Sequence, residues 1–497
     1  MNTAPFLPCL PQIALSLWAF GLLAADAFWF RHWPMPRRNR RLGLLSALGY
    51  GLSIFLLLWR PVGEPSQSFG PVSLVEMMEI LVFAGAALTA LICTRDEWTE
   101  HCGELYTLLT VSALGLSFLV MARDLIMVFL CLELSSITLY ALTAMRGDRR
   151  DATEAAFKYF LYGSLSSAFL LFGLTYLYGL TGTLELAGIA EAFSRQSPGP
   201  LLMMAMLFVV AGMGFKIAVV PFHLWAPDAY QCAPLPVAAF VASVSKIASV
   251  FILILFLGVL AGAQGAFSLG AGAVRTQPGW VAALTFISLA SMVLGNFAAL
   301  NQTHVRRLLA YSGIAHMGYL LIALCAGTPA GKAAALYYVI VYAMATLGTF
   351  GVLGVLGTQS GGETFRHLAG AAHRNPTLGF FLSLFVLSLA GIPPMAGFMG
   401  KFLVFSEALT SPHAVGLGML WLVIIALLTS AVAFYYYLIL LKAVWISEPA
   451  EEAPRELIHT PWWFNAAMGL LALLILVLGI FPAPLLEFLA AGLAHTR

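Results

Sequence analysis

The chain has 497 residues, 61% of them hydrophobic and only 10% charged, with a mean hydropathy of +0.90. A soluble domain carries about 25% charged residues, so the composition excludes a soluble globular protein and specifies an all-α polytopic membrane protein with lipid as its surroundings. A formal net charge of +2 is too small to make nucleic acid a partner.

The first residues, MNTAPFLPCLPQ, lack a basic segment, and the cluster Arg31, Arg37, Arg38, Arg40 and Arg41 follows the first apolar run. That order predicts a retained first helix with its N-terminus outside rather than a cleavable signal peptide. Apolar runs able to cross about 30 Å of hydrocarbon follow at 8–30, 42–59, 74–94, 104–122, 124–144, 155–180, 202–232, 236–262, 280–300, 305–326, 332–357, 378–410, 415–446 and 462–487. The expected total is about fourteen transmembrane helices. Basic residues check that number, because cytoplasmic loops are enriched in them. One set of alternate loops holds Arg31, Arg37, Arg38, Arg40, Arg41, Arg95, Arg146, Arg149, Arg150, Arg306, Arg307, Arg366, Arg374, Lys442 and Arg455. The other holds only Arg60, Arg123, Arg195, Arg275, Lys332 and Arg497. Both termini are therefore expected on the outer, periplasmic face.

Two runs are too long and interrupted, 202–232 by Pro221 and 378–410 by Gly391-Ile392-Pro393-Pro394. Proline removes a donor and clashes with the carbonyl four residues earlier, and at membrane depth the freed carbonyls need protein or cavity water. The breaks fall in helices 7 and 12, so helices 4–8 and 9–13 read as two five-helix units in inverted orientation, a transporter plan. The expected organisation is 1–100 for three N-terminal helices, 101–265 and 266–446 for the two repeats, and 447–497 for a final helix.

Glu133, Lys158, Lys216, Lys246 and Lys401 lie inside these runs. Each ionisable group near the centre of a membrane helix costs about 2.5–3.5 kcal/mol, so a chain that keeps five is using them, and ion or proton movement is the natural use. Desolvation loosens an ammonium's hold on its proton and a nearby carboxylate restores it. Glu133 and Lys216 are thus expected to form a pair whose separation and re-formation unloads and reloads the lysine. A static ion pair joining two helices accounts for that pair but not for the further lysines. Lys246 and Lys401 have no acidic partner nearby in sequence and read as hydrated relay sites. Lys158 is shallower, where snorkelling to the interface competes.

His223 follows the first break, and His316 stands twelve residues after His304, too far apart along a helix to share a metal. Proton relay and hydrogen-bonded packing are both open to His223 and His316. The roles of His304 and of Asp228, near the end of broken helix 7, stay open. Six scattered cysteines make no metal spacing, and there is no phosphate loop or dinucleotide fingerprint. No cofactor or metal is expected in this chain.

The strings FKIAVVPFHLWAPDAYQCAPLPV, HVRRLLAYSGIAHMGYL and LAGIPPMAGFMGKF resemble the antiporter-like proton-channel subunits of respiratory complex I, over roughly spans 4 to 14. The resemblance implies a non-redox, proton-translocating membrane-arm subunit of a bacterial NADH:quinone oxidoreductase in the cell inner membrane. Its partners would be a neighbouring antiporter-like subunit and small membrane subunits, with FMN, Fe–S clusters and quinone held elsewhere in the complex. It makes Glu133 and Lys216 the coupling pair, Lys246 the central relay, Lys401 the terminal site and Lys158 a modulator. The lack of a long lateral helix argues against the family's largest member, and Lys401 against the intermediate one, which typically carries glutamate there. Arg306, where lysine is common, and Gly313, where serine is common, are departures expected to leave the relay untouched. Multi-subunit sodium/proton antiporters and membrane-bound hydrogenases use similar subunits, and a scaffold whose charges only join helices is a third reading.

Overall fold

The computed structural model describes residues 9–59, 73–95, 99–146, 150–195, 200–259, 279–410, 419–449 and 456–495. Arg60, Arg149, Arg275, Arg455 and Arg497, the first eight residues, and the division expected at 265/266 lie outside the described residues. In chain order the helices are α1 (Leu10–Ala25), continued by a π-helical turn to Phe30, α2 (Met35–Leu58), α3 (Leu74–Cys93), α4 (Cys102–Met121), α5 (Leu125–Ala144), α6 (Arg150–Thr181) and α7 (Leu186–Arg195). Then come α8 (Pro200–Ile217), α9 (Ala226–Cys232), α10 (Leu235–Ala242), α11 (Val244–Val259), α12 (Gly279–Leu300), α13 (Val305–Cys325) and α14 (Pro329–Gln359). The last are α15 (Ala371–Arg374), α16 (Pro376–Ala390), α17 (Ala396–Thr410), α18 (Leu420–Trp445), α19 (Trp462–Ile480) and α20 (Ala483–His495).

Among the described residues, thirteen helical stretches are long and apolar enough to cross a membrane, the joined α10–α11 counting as one. The pair α16 and α17 supplies one further, broken crossing, in agreement with the sequence. The chain is a multi-pass membrane protein. Helix starts follow local capping chemistry. Ser73 and Glu76 form a reciprocal capping box before α3, and Asp124, Thr328 and Asn375 each accept the backbone N–H three residues on.

Polar contacts between helix ends fix the alternation. Gln12 near the start of α1 meets Glu79 near the start of α3 and Ser117 near the end of α4. At the opposite ends, Arg38 of α2 grips Asp26 with two bonds of 2.5 Å, and Asp26 also accepts from the Gly103 amide of α4. Successive helices therefore run antiparallel, as the basic-residue pattern requires. The interior is built on α10–α11, α13 and α14, whose apolar windows are 94%, 94% and 89% buried, against 22% for α1 and 28% for α19. The central three bear Lys246, His316 and Tyr342.

Three details depart from the sequence reading. An amphipathic helix, α7, buries Leu186, Ile189 and Phe193 between the sixth and seventh crossings. The run 236–262 is itself interrupted at Ser243, whose hydroxyl bonds back to the Ala239 carbonyl. The last crossing stops at Ile480 before Pro482, and α20 begins a second, short helix.

Candidate proton pathway

Both expected breaks are present and both are lined by satisfied backbone groups. After α8 the chain turns at Ala218, whose φ of 58° is left-handed. The freed Phe215 carbonyl accepts from the Trp225 indole at 3.1 Å and from the Ala218 amide, while the Val220 amide donates to Ser291 at 3.0 Å. The second break closes α16 with Gly391 at φ 84°, a left-handed position that glycine takes without steric cost. Amides of Gly391 and Ile392 return to Leu387 in the manner of a helix C-cap. The remaining Ala390 carbonyl is taken by Lys401 itself, at 3.0 Å. An ammonium thus sits at the negative end of a half-helix.

Each of the three deep lysines adjoins a discontinuity. Lys216 is the last residue but one of α8, Lys246 lies three residues past the Ser243 interruption, and Lys401 is one turn into α17. Lys246 and Lys401 are 1% and 5% exposed, so both are enclosed by the helix bundle. Lys246 donates to the Tyr342 hydroxyl at 3.4 Å and lies 5.1 Å over that ring. Tyr342 lies against His316 with the rings tilted by 40° and centroids 5.1 Å apart. His316 bonds the Tyr338 hydroxyl at 2.7 Å through Nδ1 and the Tyr437 hydroxyl at 3.1 Å through Nε2, and Tyr437 also bonds Ser312. Beyond them Tyr319 lies edge-on to His316 and carries Lys401 over its ring at 5.3 Å. Lys401 completes its shell on the Ser430 hydroxyl at 2.8 Å. Between Lys246 and Lys401 the interior thus holds an imidazole and several tyrosine hydroxyls, joined partly by hydrogen bonds and partly by ring contacts.

Glu133 and Lys216 come near one another but are not in direct ion-pair contact. The carboxylate of Glu133 accepts from Ser167 of α6, and Lys216 donates to Ser136, one turn along α5 from Glu133. In the structure the two groups thus take separate hydroxyl partners. Lys158 is not part of that group. Its ammonium joins Glu154 at 2.7 Å and Asp228 at 2.9 Å, and Asp228 also binds Arg307 at 2.6 Å. With 41% of its side chain exposed, Lys158 ties α6, α9 and α13 together through Asp228. His223 is buried, with Nδ1 free of any hydrogen-bond partner. His304 precedes α13 as its N-cap residue.

One expectation is overturned. Gly313 was taken to leave the relay untouched, yet a Cβ there would stand 3.1 Å from Lys246 Nζ and 2.7 Å from the Tyr342 hydroxyl. The absence of a side chain at 313 opens the space in which those two groups meet. Arg306 does stand apart, bound to Glu363 and to the Ala233 carbonyl.

A family model described as "NADH:quinone oxidoreductase/Mrp antiporter, TM" matches residues 122–432, which contain Glu133, Lys158, Lys216, Lys246 and Lys401. The chain is 44% identical to NADH-quinone oxidoreductase subunit N 2 of Acidobacterium capsulatum, over 97% of both chains. It belongs to the subunit N family of NADH-quinone oxidoreductases. Another subunit N, from Roseiflexus castenholzii, is 38% identical over 95% of each chain. Among solved structures, a chain of respiratory complex I from Thermus thermophilus superposes with a TM-score of 0.76 at 34% identity, covering 97% of this chain and 99% of that one. A chain of the Mrp complex from a Dietzia species shares the fold at 19% identity, with a TM-score of 0.77.

Sequence reasoning missed several residues that this subunit N fold brings to the path. Ser136, Ser167, Tyr342, Tyr338, Tyr437 and Ser430 are ordinary in a helical sequence and acquire meaning only through their neighbours. Glu154 was legible, four residues before Lys158, as a helical ion pair. The five ionisable groups read inside the apolar runs were also an undercount, since Glu79 and Asp26 are 1% and 3% exposed within the first four helices.

Proposed function

We propose that this chain conducts protons, as a non-redox translocating subunit of the membrane arm of a bacterial NADH:quinone oxidoreductase. FMN, Fe–S clusters and quinone belong, on this reading, to partner subunits, whose redox chemistry drives the pair Glu133 and Lys216. The chain would lie in the cell inner membrane with both termini on the periplasmic face, beside a neighbouring antiporter-like subunit and small membrane subunits. The observation that carries the reading is the set of titratable and hydroxyl groups gathered between Lys246 and Lys401, hydrogen-bonded from Lys246 to Tyr342, from His316 to Tyr338 and Tyr437, and from Lys401 to Ser430. A scaffold that only joins helices has no use for lysines lacking an acidic partner. Full-length identity to subunit N relatives favours the oxidoreductase over a sodium/proton antiporter, which at 19% identity shares the fold.

The test is proton pumping by the assembled complex in proteoliposomes. Lys216→Ala and Lys246→Ala are each expected to abolish the contribution of this subunit while the complex still assembles. Pumping at the full ratio in either variant would refute the relay.

A further inference from the structure

The last crossing, α19, buries Phe464, Met468, Ala472, Ile475 and Gly479, whose spacing of three or four residues makes them one stripe of the helix. At the end of that stripe α19 meets the second break, backbone against backbone. A Cβ on Gly479 would overlap the Pro394 carbonyl oxygen and stand 2.6 Å from the Ala396 amide nitrogen. All three of its nearest atoms belong to the main chain, so none can turn aside as a side chain would. Ala396 is the first residue of α17, and Lys401 follows five residues later.

Just before Gly479, the Leu478 carbonyl has no helical donor, because the residue four on is Pro482, which carries no N–H. The fully buried Tyr337 of α14 donates its hydroxyl to that carbonyl instead, at 2.7 Å. Its neighbour Tyr338 serves the other side of the break. A Cβ on Gly400 would stand 2.6 Å from the Tyr338 ring, and the Tyr338 hydroxyl bonds His316 at 2.7 Å. The start of α17 is thus held by α19 at Ala396 and by α14 one turn later, beside Lys401.

Lys401 depends on that hold. Its ammonium reaches back across the break to the Ala390 carbonyl at 3.0 Å, and a Cβ on Gly391 would stand 3.0 Å from its Cδ. Both contacts span the break, so residues 391–396 set their length. A displacement of about 0.6 Å along the hydrogen bond would end it, since none persists at 3.6 Å. Opening the 2.6 Å approach at Gly479 to an ordinary 3.4 Å contact takes about 0.8 Å. One methyl group on α19 is therefore enough to decide where the lysine rests.

We propose that α19 is a brace for the Lys401 site. Gly479 seats the backbone at 394–396, Tyr337 holds that seat through its bond to Leu478, and together they keep Lys401 on the Ala390 carbonyl. Gly479 and Tyr337 are positioning residues, and their role rests on the relay reading above.

The experiment uses the whole complex, with two readouts: the Lys401 Nζ to Ala390 oxygen distance by cryo-electron microscopy, and protons pumped per electron for each assembled complex. Gly479→Ala should lengthen that distance beyond hydrogen-bond range and lower the ratio. Tyr337→Phe keeps the ring and removes only the hydroxyl, so the share of complexes with Lys401 on Ala390 should fall roughly two- to tenfold, the range one hydrogen bond spans. Gly469→Ala is the control on the same helix, because its Cβ would meet only Phe381 at 3.5 Å, and it should change neither readout. A merely structural role predicts fewer assembled complexes, each with Lys401 in place and pumping at the full ratio. That result in Gly479→Ala would overturn the proposal, as would a lowered ratio with the lysine still on Ala390, or a full ratio with the lysine displaced. If Gly479→Ala does not assemble, Tyr337→Phe decides by the same two readouts. If Lys401→Met stops pumping while both brace variants are silent, only the brace fails. If Lys401→Met pumps fully, the relay reading falls and the brace with it.

Discussion

Replacing Lys401 by methionine separates a relay from helix glue, because the structure sets each cost. The change leaves the Ala390 carbonyl, now bonded at 3.0 Å, without a donor, at about 1–3 kcal/mol. It also removes a cation lying 5.3 Å over the Tyr319 ring, worth about 0.5–2 kcal/mol. Against these, taking an ammonium out of the membrane interior returns about 2.5–3.5 kcal/mol. Methionine is unbranched and fills the vacated stem, and Ser430 can turn its hydroxyl onto its own helix. The sum lies within about 2.5 kcal/mol of zero, so the complex should assemble and melt near the wild-type temperature. Proton pumping in proteoliposomes should nevertheless fall sharply, since methionine holds no proton. Lys401→Glu should pump better than Lys401→Met, because a protonated carboxyl can still donate to Ala390. Two results would refute the reasoning. One is full pumping by Lys401→Met. The other is a loss above about 3 kcal/mol in stability, the size expected when a buried ionic partnership is broken.

Gly391→Ala should be damaging twice over. A side chain at φ 84° costs about 1–2 kcal/mol, and its Cβ would stand 3.0 Å from Lys401 Cδ, so both the melting temperature and pumping should drop; an unaltered ratio would mean that the lysine's placement is not critical. Asp228→Asn removes pairs to Lys158 and Arg307 at the membrane edge, where each is worth no more than about 1 kcal/mol. Its thermal destabilisation should therefore be small and should shrink further at high salt, and a salt-independent loss would show that the network is more deeply held than its exposure indicates.

Breaks were legible where proline or glycine caused them. Pro221 and Gly391-Ile392-Pro393-Pro394 predicted two interruptions beside Lys216 and Lys401, and both are present because these residues act through their own backbone. The interruption at Ser243 left no such mark. Serine is tolerated in helices, and the departure of Ser243 from helical geometry, at φ −122° and ψ −75°, has no signal of its own in the sequence. Lys246 accordingly looked like a mid-helix residue and is instead in the first turn after a break. Gly313 was misjudged for a related reason. A glycine announces the lack of a side chain but not which lysine, 67 residues away in sequence, will use the space.

What the sequence determined by itself is whatever each segment settles alone against the bilayer: fourteen crossings, their alternation, the two prolyl breaks, and the ionisable groups too costly to be accidental. Hydrophobic length and charge are local properties, so the membrane reads them segment by segment. Tertiary structure decided which hydroxyls and rings stand between those charges. It placed Tyr342, His316 and Tyr437 between Lys246 and Lys401, moved Lys158 out to Asp228, and held Glu133 and Lys216 apart on Ser167 and Ser136. A hydrogen bond between helices depends on rotation and register that no single helix carries, and so the charges were visible in the sequence while the path connecting them was not.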